Sequence, residues 1–230
     1  MLCIVQARMG STRLPGKVLT PLAGRPLLIW LIDRLKDAKY ISDIIVATTE
    51  DASDDLLVEF CIEQSISCQR GFRNNVARRL AKVATQSGAE EFIRISGDSP
   101  LIDSKVVDQA VELYQRNDCD LVTNILTRTF PKGQSVEILK TDTFLQVCQA
   151  ITTEEEKEHV TRTFYLHPER FNIVSFSSEI DAGREQLSID TIDDHKLIEK
   201  LIEVSNRSPG GWQELLALKR RIDKNYETKY

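Results

Sequence analysis

The residues with the most obvious chemistry are gathered in one early stretch, Gln6-Ala-Arg-Met-Gly-Ser-Thr-Arg-Leu-Pro-Gly-Lys17. Gly10 and Gly16 let backbone N–H groups come close to an anion. Ser11 and Thr12 can donate hydrogen bonds, and Arg8, Arg13 and Lys17 can neutralise phosphate charge. A triphosphate would suit such a loop, with Ala7 and the residues that follow it lying against the nucleotide. The pattern is not a Walker A motif. Five residues separate Gly10 from Gly16, and Val18 stands where a magnesium-binding hydroxyl would be.

A bound triphosphate needs magnesium, which takes one or two carboxylates together with phosphate oxygens and water. Asp98 is the leading candidate. It follows Gly97 directly after the apolar run Glu91-Phe-Ile-Arg-Ile95, where an acidic side chain has little packing value. Asp190, after Leu187-Ser-Ile189, is the second, although Asp190 or Thr191 would equally serve as the cap of a following helix. The literal D-x-D at Asp118-Cys-Asp120 falls between a predicted helix and a predicted strand, at the end of the sheet opposite Asp98, and a solvated turn explains it. Glu158-His159 could reach a substrate's hydroxyls or carboxylate if the helix carrying them walls the cleft. His167 and His195, the latter on a predicted helix surface, read as structural. Lys219-Arg-Arg221 reads as a solvated helix face.

The elements that must position these residues follow from periodicity. Leu2-Cys-Ile-Val5 and Asp43-Ile-Ile-Val-Ala-Thr48 read as buried parallel strands, and Leu28, Leu31, Ile32 and Leu35 mark a helix from Pro26. A helix over 54–64 has Leu56, Leu57, Phe60 and Cys61 on one face. A short strand at 66–68, a helix over 75–87 and the strand at 91–95 follow. Helix 103–115 faces Val106, Val107, Ala110, Val111 and Tyr114 inward, and strands are expected at 120–124 and 135–139. The box Thr153-x-x-Glu156 starts a helix that ends before Pro168. Strands at 171–176 and 186–190 and helices at 193–204 and 212–224 complete the reading. The βα alternation predicts an α/β protein with an open, Rossmann-like, mostly parallel sheet whose ligands bind at the carboxyl ends of its strands.

Composition sets the outer bounds. With 230 residues, 41% hydrophobic and 28% charged, the chain is an ordinary globular one, and a net charge of −5 gives no reason to expect nucleic acid or a bilayer as partner. The longest apolar run, Leu27 to Ile32, is too short to span a membrane, which makes a cytoplasmic location the expectation. Five cysteines without a C-x-x-C pair argue against a disulfide framework or a zinc site. A single domain over 1–230 with an inserted segment at about 125–170 is the expected organisation.

Taken together, the Gln6–Lys17 loop and Leu22-Ala-Gly-Arg-Pro26 resemble the nucleotide-binding signature of the cytidylyltransferases that make CMP-activated acidic sugars, in particular the spore-coat polysaccharide biosynthesis (SpsF) branch. Further blocks continue the likeness in order: Val46-Ala-Thr-Thr49, Gln69-Arg-Gly71, Arg94-Ile-Ser-Gly-Asp-Ser-Pro-Leu-Ile-Asp103, Gly133-Gln-Ser-Val-Glu137, Glu158-His-Val160, His167-Pro-Glu-Arg-Phe171 and Leu187-Ser-Ile-Asp-Thr191. The resemblance implies a nucleotide-diphospho-sugar-transferase fold and transfer of CMP from CTP to a sugar acid or related acceptor, with release of pyrophosphate. It implies that Arg8, Gly10, Ser11, Arg13 and Lys17 hold the triphosphate and that Asp98 and Asp190 ligate magnesium. Thr48, Thr49, Arg70 and Gly71 would lie around base and ribose, while Glu137, Glu158 and His159 face the acceptor. It also implies a homodimer paired through the insertion. This chain departs from the pattern in having Phe72-Arg-Asn-Asn75 where an acidic stretch is usual, and Ser135 where an aspartate is usual. Two other readings are a glycosyltransferase of the same fold, which needs a working D-x-D, and a non-catalytic nucleotide binder, which would have lost a metal carboxylate or a loop cation.

Overall fold

In the computed structural model, which describes residues 1–227, the frame is set by apolar runs buried on both faces. Strand β1 (Leu2–Gln6) turns Cys3 and Val5 into one hydrophobic core and Leu2 and Ile4 into another, the two lying on opposite sides of the sheet. A short hairpin, β2 (Pro21–Leu22) and β3 (Arg25–Pro26), turns through Ala23 and Gly24, both at positive φ. Helix α1 (Leu27–Lys36) follows, then β4 (Asp43–Thr49), α2 (Asp55–Glu63), β5 (Ser67–Gly71), α3 (Val76–Gln86), β6 (Glu91–Ser96) and α4 (Ser104–Arg116). The second half adds β7 (Leu121–Thr123), β8 (Glu137–Lys140), α5 (Thr141–Ala150), α6 (Glu154–Glu158), α7 (Arg162–Leu166), β9 (Ile173–Ser175), α8 (Ile192–Val204) and α9 (Trp212–Glu227).

The seven-stranded sheet has the order β5-β4-β1-β6-β8-β7-β9. β1 pairs in parallel with both β4 and β6, β4 with β5, and β7 with β9. β8 alone is reversed, running antiparallel to β6 and β7. Helices α1, α2, α4, α8 and α9 cover one face, and α3, α5 and α7 the other. The chain steps outward from β1 to β4 and β5, then returns across β1 to β6. That reversal leaves a crevice at the carboxyl ends of β1 and β6, the place where α/β sheets bind ligands.

Several elements differ from expectation for identifiable reasons. β5 spans Ser67–Gly71 instead of 66–68, because backbone pairing with β4 runs on through polar Gln69 and Arg70 to Gly71. α2 opens with a 3₁₀ turn at Ala52–Asp54, and Leu56 faces solvent while Leu57 and Cys61 are buried. α5 is an element beyond those expected. Phe144, Val147 and Cys148 seat it in the core, but its N-cap is Lys140, which makes no side-chain cap bond. The single helix expected after Thr153 is two. The capping box forms, and the backbone of His159 then leaves helical geometry between α6 and α7. Residues 186–190 are not a strand; one bridge joins Gln186 to Lys132, and the Ile189 N–H turns to Asp98. His195 is buried, not on the helix surface, with Nε2 2.9 Å from the Pro21 carbonyl oxygen where α8 docks on the hairpin. Lys219 is held by Glu185, so the basic run is only partly solvated. Within the span 125–170, β8 lies in the main sheet and α5 in its core. Among the described residues no helix is long and apolar enough to cross a membrane.

Candidate active site

The loop after β1 is folded around one carbonyl. Met9 O accepts from the N–H groups of Ser11 (2.9 Å) and Gly16 (2.8 Å), and the Met9 N–H donates to Asp54 Oδ1 at 2.7 Å. Gly16, at φ +72°, then starts a 3₁₀ turn over Lys17–Leu19. Val18, at the position where a Walker motif would carry its hydroxyl, is buried in the core. Lys17, next to it, points back across the strand ends.

Two carboxylates wait there. Gly97 crosses β1 so closely that a Cβ on it would lie 2.8 Å from Gln6 O and 2.9 Å from the Ala7 Cβ, which accounts for a glycine at the exit of β6. Asp98 comes next, and its carbonyl accepts from the Ile189 N–H at 2.9 Å, tying residues 187–190 to the same edge. Helix α8 is capped by Thr191 with Asp194 in a reciprocal box, which leaves the Asp190 carboxylate free for other work. Lys17 Nζ lies 3.1 Å from Asp98 Oδ2, 3.2 Å from Asp190 Oδ1 and 2.7 Å from Ile189 O. Arg13 Nη2 is 2.9 Å from the same Asp190 oxygen. Arg8 crosses the cleft to Glu158 Oε1 at 2.9 Å.

These residues enclose a cleft of about 260 Å³, lined by Ala7, Arg8, Ser11, Thr12, Arg13, Lys17, Asp98, Glu158 and Asp190 of the predicted set, with Gln6 and Gly97. Gly10 sits in the loop with open space where a Cβ would be. A second cavity of about 290 Å³ lies beside the first, lined by Arg94, His159, Arg162 and Tyr165 among others. The two share a wall. Gln6 of the first bonds Arg94 of the second through Oε1, and Glu158 adjoins His159. Glu137 lies beneath, almost fully buried, with one oxygen paired to Arg94 and the other accepting from the Tyr165 hydroxyl, which also bonds Thr123 Oγ1 at 2.8 Å. Burial, then the Glu137 charge, pushes the Tyr165 phenol well above its ordinary pKa.

Four predicted nucleotide residues stand outside this cleft. Thr48 and Thr49 are buried and give their hydroxyls to Asp54 Oδ2. Arg70 pairs with Asp55. Gly71 lies under Arg79, where a Cβ would meet the Arg79 Cγ at 3.0 Å. Asp118 is exposed and Asp120 accepts from the Asn172 N–H and the Thr143 hydroxyl, so the D-x-D is a turn at the far end of the sheet.

A family model described as Cytidylyltransferase matches residues 2–222. The chain belongs to the cytidylyltransferase family. It is similar to the spore coat polysaccharide biosynthesis protein SpsF of Bacillus subtilis, at 30% identity over 91% of this chain and 89% of that protein. A 3-deoxy-manno-octulosonate cytidylyltransferase of Geobacter sulfurreducens is 35% identical over 50% of this chain and 45% of that one. Among solved structures, a cytidylyltransferase from Leptospira borgpetersenii superposes with a TM-score of 0.92 at 30% identity, covering 97% of this chain and 95% of that one.

In this cytidylyltransferase, inspection of the sequence misses the residues that hold the site together from below. Asp54 is 1% exposed. Burial works against its charge, but donors from Thr49, Met9 and Thr48 outweigh it and hold the carboxyl below its ordinary range. Arg79 is fully buried. Its Nη1 donates to Phe72 O at 2.8 Å, Nε and Nη2 have no partner, and burial, followed by repulsion from Arg8, lowers its pKa to about 10. Nothing in the spacing of Asp54 or Arg79 separates them from surface charges. The helical phase of Arg79 with Val76, Leu80 and Val83 is the one signal that places it inward.

Proposed function

We propose that this cytidylyltransferase transfers CMP from CTP to a hydroxyl of a carboxylate-bearing sugar, releasing pyrophosphate, as a step in glycan or polysaccharide assembly. The observation that carries the reading is the convergence of Asp98 and Asp190 on one ammonium, in a crevice whose facing wall presents Arg8 and Arg13. Phosphate charge calls for such cations, and the adjoining cavity with His159 and Arg162 suits an anionic acceptor. Ser11 and Thr12 add hydroxyl donors.

The two carboxylates fit a divalent cation. They are hard oxygen donors, both partly buried, and already share a positive charge. When bound there, magnesium would neutralise phosphate charge and lower the acceptor hydroxyl's pKa. In the reaction, the acceptor oxygen forms a bond to the α-phosphorus as the bond to the bridging oxygen of pyrophosphate breaks, and the hydroxyl proton passes to solvent. Arg8, Arg13 and Lys17 stabilise the charge that builds on the phosphoryl oxygens and the leaving group. His159 and Arg162 orient the acceptor. Thr48 and Thr49 support the base and ribose region from behind through Asp54, Gly71 does so against Arg79, and Arg70, paired with Asp55, lies beside them.

The test is pyrophosphate release from each of the four nucleoside triphosphates with magnesium and a panel of sugars with and without a carboxylate. Release with CTP and a sugar acid is expected, and Asp98→Asn should lower it more than about a hundredfold while leaving the fold intact by circular dichroism. Release with neutral sugars only, or undiminished release by the variant, would overturn the reading.

A further inference from the structure

We propose that Lys17 is a resident cation on the metal carboxylates of the free enzyme, so that a divalent metal enters only with the nucleotide, when the triphosphate draws Lys17 away. The inference rests on the reading of Asp98 and Asp190 as the metal pair.

An ammonium has three donors, and here all three are used: on Asp98 Oδ2, Asp190 Oδ1 and Ile189 O. The side chain is only 12% exposed. Arg13 adds a second cation on the same Asp190 oxygen, and the other oxygen of Asp98 accepts from Ser99 Oγ at 3.2 Å. The two negative charges are thus balanced by two positive ones. A metal ion approaching the free protein meets no net attraction and a nearby ammonium that repels it. Among the described residues no group of three or more His, Cys, Asp or Glu side chains could hold a metal, so the pair has no third carboxylate, imidazole or thiol to compensate.

A triphosphate changes this balance. Arg8, Arg13 and Lys17 line the same cleft, and phosphate oxygens compete for all of them with more charge than a single carboxylate carries. Once Lys17 moves to phosphate, Asp98 and Asp190 are exposed as a doubly negative pair, and the phosphate oxygens supply the ligands that the protein lacks. The same exchange releases Glu158 from Arg8 on the wall shared with the second cavity. Metal and nucleotide therefore bind with positive cooperativity, and the lysine that will hold phosphate is what keeps the metal position closed beforehand.

Manganese(II) binding read by the loss of its free electron-paramagnetic-resonance signal tests this without turnover. Wild-type protein without nucleotide is expected to bind weakly. Lys17→Met should bind manganese without nucleotide at least about tenfold tighter, since it removes the repelling charge, although it weakens triphosphate binding. Arg13→Gln, at an exposed side chain, should give a smaller gain in the same direction and serves if Lys17→Met does not fold. Adding Asp98→Asn to either variant should remove the gain. Equal manganese affinity of wild type and both single variants without nucleotide would overturn the role of Lys17. If, instead, Asp98→Asn leaves nucleotide-supported manganese binding by wild type unchanged, the metal-pair reading itself falls.

Discussion

Asp54 makes no contact with the cleft, yet its replacement should damage both stability and nucleotide binding. Its Oδ2 accepts from the Thr48 hydroxyl, the Thr49 N–H and the Thr49 hydroxyl, and its Oδ1 from the Met9 N–H. Asp54→Asn keeps the shape. With the amide oxygen at the Oδ2 position, three bonds survive but lose their charge assistance, at about 0.5–1 kcal/mol each. The amide NH₂ then faces the Met9 N–H, donor against donor, which costs about 1–3 kcal/mol. The sum is about 2.5–6 kcal/mol, and for a chain of this size on the order of 10 °C in melting temperature. Because Met9 is the residue around which the loop is folded, CTP binding should weaken by about tenfold as well.

The pH dependence supplies an independent check. The folded-state pKa of Asp54 lies below its unfolded value, so the unfolded chain binds the proton more tightly. Its stabilisation is therefore full above about pH 4 and is lost as pH falls through the folded pKa. Melting followed from pH 6 downwards should show a steeper acid loss in wild type than in Asp54→Asn, the gap between the two narrowing as pH falls. Equal melting temperatures at neutral pH, or parallel acid profiles, would refute the claim that Asp54 anchors the loop.

Two further substitutions probe the placement of the carboxylates and the second cavity. Gly97→Ala puts a Cβ 2.8 Å from Gln6 O, so β1 and β6 must part. We expect a stability loss of about 1–3 kcal/mol and a fall in kcat greater than the change in KM for CTP, checked by melting and steady-state kinetics. Tyr165→Phe removes the hydroxyl that bonds Glu137 and Thr123, leaving a buried carboxylate oxygen short of a donor. It should cost about 1–3 kcal/mol and raise the acceptor KM without altering the CTP dissociation constant, measured by calorimetry.

How much of this was legible beforehand follows from the kind of signal each residue gives. Asp98 and Lys17 could be found because each stands where its charge has no packing use, after a buried strand or at the end of a glycine-bounded loop. The parallel half of the sheet could be read because β1, β4 and β6 are continuous apolar runs. β8 was visible as a strand but its reversal was not, since Glu137-Ile-Leu-Lys140 has the same appearance in either direction and only the chain path decides. α5 begins Thr141-Asp-Thr without a side-chain cap, so local signals were weak and its helix rests on tertiary burial of Phe144, Val147 and Cys148. Asp54 and Arg79 are charged side chains in the core, and sequence alone favours the surface for both types. Lys17 was expected to meet phosphate; that it rests on Asp98 and Asp190 is a matter of geometry that no spacing encodes.

The reversal of β8 bears directly on the chemistry. In a parallel strand, the carboxyl end would reach the cleft, and Lys140 would stand beside Arg94. Because β8 runs the other way, its first residue is opposite Arg94 in the register, and Glu137 arrives at the cleft end of the sheet. Arg94 can then bridge Gln6, at the end of the nucleotide-side strand, to Glu137 and through it to Tyr165 of α7. A guanidinium with partners on both sides transmits position well, since moving it off Glu137 leaves a buried carboxylate unpaired. The two cavities are therefore joined by a charged strut, not by a flexible loop. Residues lining the second cavity, such as His159 and Arg162, can then vary while Gln6, Arg94 and Glu137 keep that cavity aligned with Asp98 and Asp190.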